Sequence, residues 1–146
     1  TTLIEYTAFF GSFQIFQYLQ MNEVELTSSL WLYAIYGKNA DIIHCLEENN
    51  VEPPQNSYEI CIKEAIKCHH NEISDYLQNN FMINDDKISS FVFKESIKSY
   101  NFYFIDNEFI NESVFYDLCK YDYIIPVEFL LKLNDIDINM INVDQI

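Results

Sequence analysis

One recurring pattern limits what this chain of 146 residues can fold into. Its first copy is TLIEYTAFFGSFQIFQYL, residues 2–19, in which two short segments of helical apolar spacing meet at Gly11. The second segment places Ile15, Phe16 and Leu19 on one side of a helix. Because neither helix could bury its apolar side alone, the pattern predicts helical pairs that pack against neighbouring pairs.

Four further copies occupy residues 28–46, 59–77, 90–104 and 113–131. Each copy carries a small residue six positions after its start, at Ala8, Ala34, Ala65, Ser96 and Cys119. An apolar residue follows eight positions later in the last four copies, whereas in the first copy the gap to Ile15 is seven. The copies begin at residues 2, 28, 59, 90 and 113, and this variable spacing predicts degenerate helical repeats rather than a coiled coil.

The composition favours helices over strands. Only 2 glycines and 3 prolines occur, which is too few for the tight turns of a β-protein. The short run Ile88–Phe93 alternates as a strand would, but its position in the repeat predicts a helix. We therefore expect an all-α fold of about ten helices in antiparallel pairs, a count that follows from two helices per repeat.

The charge argues against two classes of partner. The net charge is −15, and the chain contains no arginine. Nucleic-acid binding depends on basic side chains that neutralise phosphates, so it is disfavoured. An anionic membrane surface would repel the chain, and no apolar run is long enough to span a bilayer, so no membrane insertion is expected. Four cysteines without a disulfide-like spacing predict an intracellular location, in the cytoplasm.

The repeats resemble those of the ankyrin family. That family carries the pattern T-P-L-H-x-A-A-x-x-G-H-x-E-I-V-x-L-L, which residues Thr2–Gly11 and Gly11–Leu19 follow in its two halves. The segments Asn22–Leu26 and Asp135–Asn139 are similar to the stretch that follows the second helix in ankyrin repeats. The sequence is most similar to the divergent, Asn- and Ile-rich ankyrin arrays of the protist type.

The resemblance implies a single ankyrin-like solenoid over residues 1–146, with shortened loops, or fingers, between repeats. The approximate repeats are 1–26, 27–57, 58–88, 89–111 and 112–146. We expect the chain to be a fragment of a longer array, because Leu3 and Ile4 are apolar where a terminal repeat would present a polar face. The outer helix of the fourth repeat, around Phe102–Ile105, is expected to be poorly formed.

The resemblance also implies a binding surface. In ankyrin repeats, the two residues after the small residue of the inner helix face a concave groove that commonly binds proteins. Carried over to this chain, these candidate partner-binding residues are Phe9, Phe10, Ile35, Tyr36, Ile66, Lys67, Ile97, Lys98, Lys120 and Tyr121. The three isoleucines have an alternative role, because isoleucine is usually buried and could pack between neighbouring repeats.

The main group of candidate metal ligands is Cys61, Cys68, His69 and His70, with His44 and Cys45 upstream. Cys61 and Cys68 are two helical turns, or about 10.5 Å, apart, which is too far for one ion to be gripped easily. We therefore interpret Cys45 and Cys61 as core residues and His69 and His70 as turn residues. No catalytic motif or phosphate-binding glycine loop is present, so no enzyme activity, cofactor or metal is expected.

The leading hypothesis is a non-catalytic protein–protein interaction scaffold that uses the concave groove, and the negative charge favours a basic protein partner. An alternative is a structural or regulatory arm of a larger polypeptide, whose contacts would be intramolecular. A third hypothesis is a metal-dependent enzyme or metal-binding protein at the Cys/His cluster. The sequence leaves the oligomeric state open.

Overall fold

The computed structural model describes residues 1–83, 87–105, 112–124, 127–128 and 131. The regular structure of these residues is helical throughout and includes no strand, which confirms the all-α prediction. In chain order the α-helices are α1 Leu3–Phe9, α2 Phe13–Met21, α3 Leu30–Tyr36, α4 Ala40–Glu48, α5 Tyr58–Lys67, α6 Asn71–Phe81, α7 Ile88–Lys98 and α8 Glu112–Lys120. Short 3₁₀ helices occupy Pro54–Asn56 and Phe102–Phe104.

The chain divides into two compact units, Thr1–Phe104 and Ile105–Ile146. In the first unit, α1 contacts α3, α3 contacts α5, and α5 contacts α7, so the first helix of each pair packs on the first helix of the next. The second helices α2, α4 and α6 each contact the helix that precedes them in the chain. We call α1, α3, α5 and α7 the inner helices and α2, α4 and α6 the outer helices.

Side chains fix where several helices begin. At α1, Thr2 and Glu5 form a capping box in which each side chain bonds to the other residue's backbone N–H. At α4, the Asn39 side-chain oxygen accepts a hydrogen bond from the Ile42 N–H at 3.0 Å. Such caps satisfy backbone donors that have no partner inside the helix and typically contribute about 1 kcal/mol each.

The turn between the two helices of a pair has the same geometry in every copy. One residue adopts a left-handed conformation with φ between 49° and 64°; these residues are Gly11, Lys38, His69, Tyr100 and Asp122. The N–H of the next residue bonds to the carbonyl five residues back, as from Ser12 to Thr7 at 2.8 Å and from His70 to Ala65 at 2.9 Å. This hydrogen-bond pattern is the Schellman motif, which satisfies the last carbonyls of a helix and reverses the chain.

The turns correct the predicted alignment of two copies. Four residues before the left-handed residue, the equivalent positions hold Thr7, Ala34, Ala65, Ser96 and Leu118. The predicted residues Ala8 and Cys119 therefore lie one position too late. In the first copy, Gly11 is itself left-handed, whereas Gly37, with φ −72°, lies one residue before the left-handed Lys38. With Thr7 as reference, the gap to Ile15 becomes eight residues, as in the copies that follow.

Gly37 is required for a different reason from Gly11. A Cβ atom at Gly37 would lie 2.8 Å from the Phe9 carbonyl oxygen and closer still to that of Ala8. Such contacts are shorter than van der Waals packing allows, so the end of α3 can approach the end of α1 only without a side chain there.

A continuous core runs through the first unit. Ala34, Ala65 and Ser96 are fully buried in the inner helices. Trp31 is also fully buried, and its indole N–H donates to the Val51 carbonyl at 2.8 Å, which ties α3 to the loop after α4. Aromatic contacts join the next helical pair to Trp31. The ring centroids of Trp31 and Tyr58 lie 5.3 Å apart in an edge-on arrangement, and those of Tyr58 and Phe81 lie 4.0 Å apart in a stacked arrangement.

Two other local predictions can be compared with the structure. Residues Ile88–Phe93 are helical, as their place in the repeat predicts. The fourth pair has the 3₁₀ helix Phe102–Phe104 where the other pairs begin their outer helix, in agreement with the weak pattern there. The segment Asp135–Asn139 lies outside the described residues.

Ser96 provides a test of the repeat alignment. Its hydroxyl is fully buried and has no hydrogen-bond partner among the described residues, whereas the equivalent residues Ala34 and Ala65 carry no polar group. We expect Ser96→Ala to raise the free energy of unfolding by about 1 kcal/mol, since an unsatisfied buried hydroxyl is removed. The reverse substitution Ala65→Ser should lower it by a similar amount. Urea denaturation measures both, and a loss of stability in Ser96→Ala would contradict the alignment.

Candidate interaction surface

The turn geometry defines two columns of residues on the inner helices. Two positions before the left-handed residue, the side chain is exposed to solvent or half-exposed in all copies, at Phe9, Tyr36, Lys67, Lys98 and Lys120. Three positions before it, the side chain is buried in the first four copies, at Ala8, Ile35, Ile66 and Ile97. Adjacent residues differ in solvent exposure because each residue along an α-helix rotates the side-chain direction by about 100°.

This burial corrects the predicted surface at three positions. Ile35, Ile66 and Ile97 are almost completely inaccessible, so they cannot present side chains to a partner. Of the two roles considered for them, packing between repeats is the correct one. The candidate surface of the first unit therefore keeps Phe9, Phe10, Tyr36, Lys67 and Lys98.

Phe10 and Tyr121 are equivalent to each other but not to Tyr36. Both lie one position before the left-handed residue of their turn, the position that Gly37 holds in the second copy. Phe10 is exposed. In the second unit Tyr121 is half-buried, and its ring lies 5.6 Å from that of Tyr123 and 5.7 Å from the Lys120 ammonium.

The first two inner helices expose four aromatic rings, which we call the aromatic patch: Tyr6, Phe9, Phe10 and Tyr36. Their exposed fractions are 58%, 43%, 62% and 38%. Ring centroids of Phe10 lie 5.0 Å from Tyr6 and 5.1 Å from Phe9, and Phe9 lies 6.2 Å from Tyr36. Contiguous exposed apolar groups of this kind mark interaction sites in soluble proteins.

The next two inner helices expose lysines, of which Lys67 and Lys98 hold the position of Phe9 and Tyr36. We call Lys63, Lys67, Lys94 and Lys98 the lysine patch, and they are half of the chain's eight basic residues. Glu64 joins the two patches, because it accepts a hydrogen bond from the Tyr36 hydroxyl at 2.9 Å and from the Lys67 ammonium at 3.2 Å. Partial burial, together with this bond to Glu64, raises the pKa of Tyr36 to about 12, so the phenol stays protonated and remains a donor.

Glu95 forms ion pairs with two residues of the lysine patch. Its nearly buried carboxylate pairs with Lys63 at 3.2 Å and with Lys98 at 2.7 Å, which links α5 to α7. Burial by itself would raise the pKa of Glu95, but the hydrogen bonds from Lys98 and Lys63 outweigh it and hold the pKa below its ordinary value.

The outer helices form a separate cleft of about 220 Å³, lined by Lys38, Ala40, Ile43, His44, Glu72, Ile73 and Tyr76. Its polar groups bond to one another, because the Tyr76 hydroxyl donates to Glu47 at 2.9 Å and lies 3.3 Å from His44 Nδ1. Partial burial and the bond to Glu47 raise the pKa of Tyr76 to about 12. The sequence did not indicate this cleft, since its walls come from two different repeats. It is smaller than most pockets for drug-sized ligands.

The Cys/His cluster does not converge on one point. Cys61 is buried in α5, and burial raises the pKa of its thiol to about 12, which disfavours the thiolate that binds metals. His69 is the left-handed turn residue, and His70 Nδ1 lies 2.8 Å from the Ile35 carbonyl. Cys45 and Cys61 are core residues and the two histidines belong to the turn, as interpreted from the sequence. Among the described residues, no three His, Cys, Asp or Glu side chains are grouped to hold a metal ion.

Comparison with protein-family models matches residues 21–105, more than half of the chain, to the family described as "Domain of unknown function (DUF3447)". The chain belongs to this family. The DUF3447 match begins at the last residue of α2 and includes α3 to α7, so it contains Tyr36 and the lysine patch. No curated protein and no solved structure matches the chain. None of the helices in the described part of this DUF3447 chain is long and apolar enough to cross a membrane.

The ion pairs of Glu95 predict how stability depends on pH. Because the folded-state pKa of Glu95 lies below the ordinary value of 4.5, its contribution is present above about pH 4.5 and is lost as the pH falls through the folded-state pKa. We expect Glu95→Gln to lower the free energy of unfolding at pH 7 by about 1.5–3 kcal/mol. The variant should also lose less stability than the parent between pH 7 and pH 4.

The matched control is Glu59→Gln, which removes an exposed carboxylate from α5. Urea denaturation at both pH values compares the two variants with the parent. Equal effects of Glu95→Gln and Glu59→Gln would show that the carboxylate between the two lysines has no special role.

Proposed function

We propose that this protein is a non-catalytic interaction scaffold, built as an ankyrin-like array, that binds a protein partner through the exposed face of its inner helices. The observation that carries the proposal is the aromatic patch on α1 and α3. An interaction surface needs side chains that are accessible, apolar and held in position, and this patch has all three properties.

The ankyrin-like array is supported by the sequence resemblance and by the repeated local geometry. Each pair has the same left-handed turn, and the inner helices pack on one another in succession. Side chains also reach across the pairs: Asn101 Nδ2 donates to the Ile66 carbonyl at 2.8 Å, and His70 Nδ1 lies 2.8 Å from the Ile35 carbonyl. Each of these bonds spans 35 residues and joins the turn of one pair to the inner helix of the pair before it.

The aromatic patch has the chemistry of an energetic centre of an interface. Tyrosine, tryptophan and arginine are enriched among the residues that contribute most to protein binding. Tyr36 is held by its bond to Glu64, and Phe9 is held between Phe10 and Tyr36. Rings that are already ordered lose little side-chain entropy on binding, so more of the contact energy becomes affinity.

The charge distribution refines the kind of partner. At long range, the net charge of −15 favours a basic protein. Next to the aromatic patch, however, the exposed Lys67 ammonium bonds to the same Glu64 carboxylate as Tyr36 and supplies local positive charge. We therefore propose a partner that is basic overall and contacts the surface through an apolar or aromatic anchor flanked by a carboxylate.

The proposal places the protein inside the cell, where free cysteines such as Cys45, Cys61, Cys68 and Cys119 stay reduced. The alternative role, a structural or regulatory arm within a larger polypeptide, is favoured by a second observation, the exposure of Leu3, Ile15 and Tyr18 in the first helical pair. Both roles are compatible with one molecule, because these three residues are not part of the aromatic patch.

The proposal is tested by removing one ring of the aromatic patch. The parent and Tyr36→Ala serve as baits for affinity capture. The association and dissociation rates of each are then measured with the captured partner. We expect Tyr36→Ala to cost about 2 kcal/mol or more of binding free energy, mainly through faster dissociation. Circular dichroism checks that the variant remains folded.

Two control variants locate the surface. Tyr103→Ala removes an exposed tyrosine that lies outside the inner helices, and Glu72→Gln removes an exposed charge on α6. Both should leave the dissociation rate close to that of the parent, and Glu72→Gln should alter the association rate only slightly. If Tyr36→Ala binds normally while a control loses binding, the exposed face of the inner helices is not the interface.

A further inference from the structure

The first helical pair exposes apolar residues at positions that are buried in later pairs. Leu3 is 65% exposed, whereas its equivalents are Leu30, Cys61 and Val92, which are 0%, 0% and 3% exposed. Ile15 on α2 is 53% exposed, whereas its equivalents Ile42 and Ile73 are buried. Tyr18 is 66% exposed, and the equivalent Cys45 is buried. We call Leu3, Ile15 and Tyr18 the end face.

The difference between the copies shows what covers the equivalent positions in later pairs. Each of the first three helical pairs has a following pair packed against it. The second and third pairs also have a preceding pair, whereas no described residue precedes the first. The burial of Leu30 and Ile42, in contrast to Leu3 and Ile15, therefore reflects the presence of a preceding pair.

Neighbouring positions on the same helices provide an internal comparison. One residue before Ile15 the chain has Gln14, and the equivalent residues Asp41 and Glu72 are also polar and exposed. A position that faces solvent thus keeps a polar residue in all three outer helices. By contrast, Ile15 and its equivalents are all isoleucine, although only Ile15 is exposed. The residue at this position of the end face is therefore of a type that is usually buried in a contact.

We infer that the end face is a docking surface for a further helical pair of the same repeat type, stacked on α1 and α2 as these stack on α3 and α4. The argument is continuity: the contact between successive inner helices occurs three times in the first unit, and the end face carries the same residue classes on its open side. This inference does not depend on the aromatic patch or on the proposed partner.

One hydrogen-bonding position is consistent with such a pair. Asn39, His70 and Asn101 follow the left-handed residue of their turns, and each bonds to a backbone carbonyl of the pair before it at 2.8–3.0 Å. Ser12 holds the same position in the first pair and makes no side-chain cap bond to its own helix. Its hydroxyl is thus available for a carbonyl of an added pair.

The experiment adds a further pair taken from the chain's own sequence. Residues 28–58 are duplicated and placed directly before Thr1, which keeps the 31-residue spacing between turns that separates Lys38 from His69. Both the fused chain and its reference carry Phe10→Ser, because Gly37, Cys68 and Ser99 are all small at that position. We expect the fused chain to melt about 5 °C or more above the reference. Amide hydrogen exchange in α1 should slow about tenfold or more.

The control introduces Leu3→Glu together with Ile15→Glu. In the reference these side chains are mostly exposed, so the double substitution should change its melting temperature little. In the fused chain the same charges would be buried under the added pair, and both the rise in melting temperature and the slower exchange should disappear. If the double substitution affects the fused chain but not the reference, the stabilisation comes from stacking on the end face and not from the greater length of the chain.

Three results would overturn the inference. The first is an added segment that stays unfolded by circular dichroism, and the second is a folded segment that leaves α1 exchange unchanged. The third is a combination of observations: light scattering shows that the reference chain self-associates, and the double substitution Leu3→Glu with Ile15→Glu abolishes this association. In the same case, the fused pair does not raise the melting temperature. The occupant of the end face would then be a second copy of the chain.

Discussion

The left-handed residue between the two helices of each pair is the constraint on which the rest of the structure depends. It ends the inner helix with a Schellman motif and turns the chain back within two residues. Four of the five left-handed residues are not glycine, although a side chain in this conformation costs about 1–2 kcal/mol. The carbonyls satisfied at the end of the helix, and the packing that the reversal permits, offset that cost.

Once the turn is fixed, the roles of the inner-helix residues follow. Three residues before the left-handed residue the side chain is buried in the core, as at Ile35 and Ile66, and two residues before it the side chain is exposed to solvent, as at Tyr36 and Lys67. The exposed column is therefore free to vary without loss of core packing. This column holds an aromatic residue in each of the first two pairs and a lysine in each of the next two, so neighbouring pairs expose different side-chain types on the same helical framework.

The apolar spacing predicted the helices and the all-α class, because these depend on local periodicity. The alignment of the first and fifth copies was wrong because the prediction counted from a small residue, and Ala8 and Cys119 lie three rather than four residues before the left-handed residue. The exposure of Tyr36 beside a buried Ile35 depends on a helix rotation that the pattern does not fix. The Glu95 ion pairs and the cleft around Tyr76 join different repeats, so no local pattern reveals them.

The central claim is that the turn, rather than a glycine motif, defines the repeat. The most direct test compares glycine and alanine at Lys38 and His69, with Lys94 in the middle of α7 as a helical reference. The account predicts that glycine gives a free energy of unfolding about 1 kcal/mol higher than alanine at Lys38 and at His69, because alanine is strained at positive φ. At Lys94 alanine should be more stable than glycine by about 1 kcal/mol. Alanine more stable than glycine at both turn positions would contradict the account.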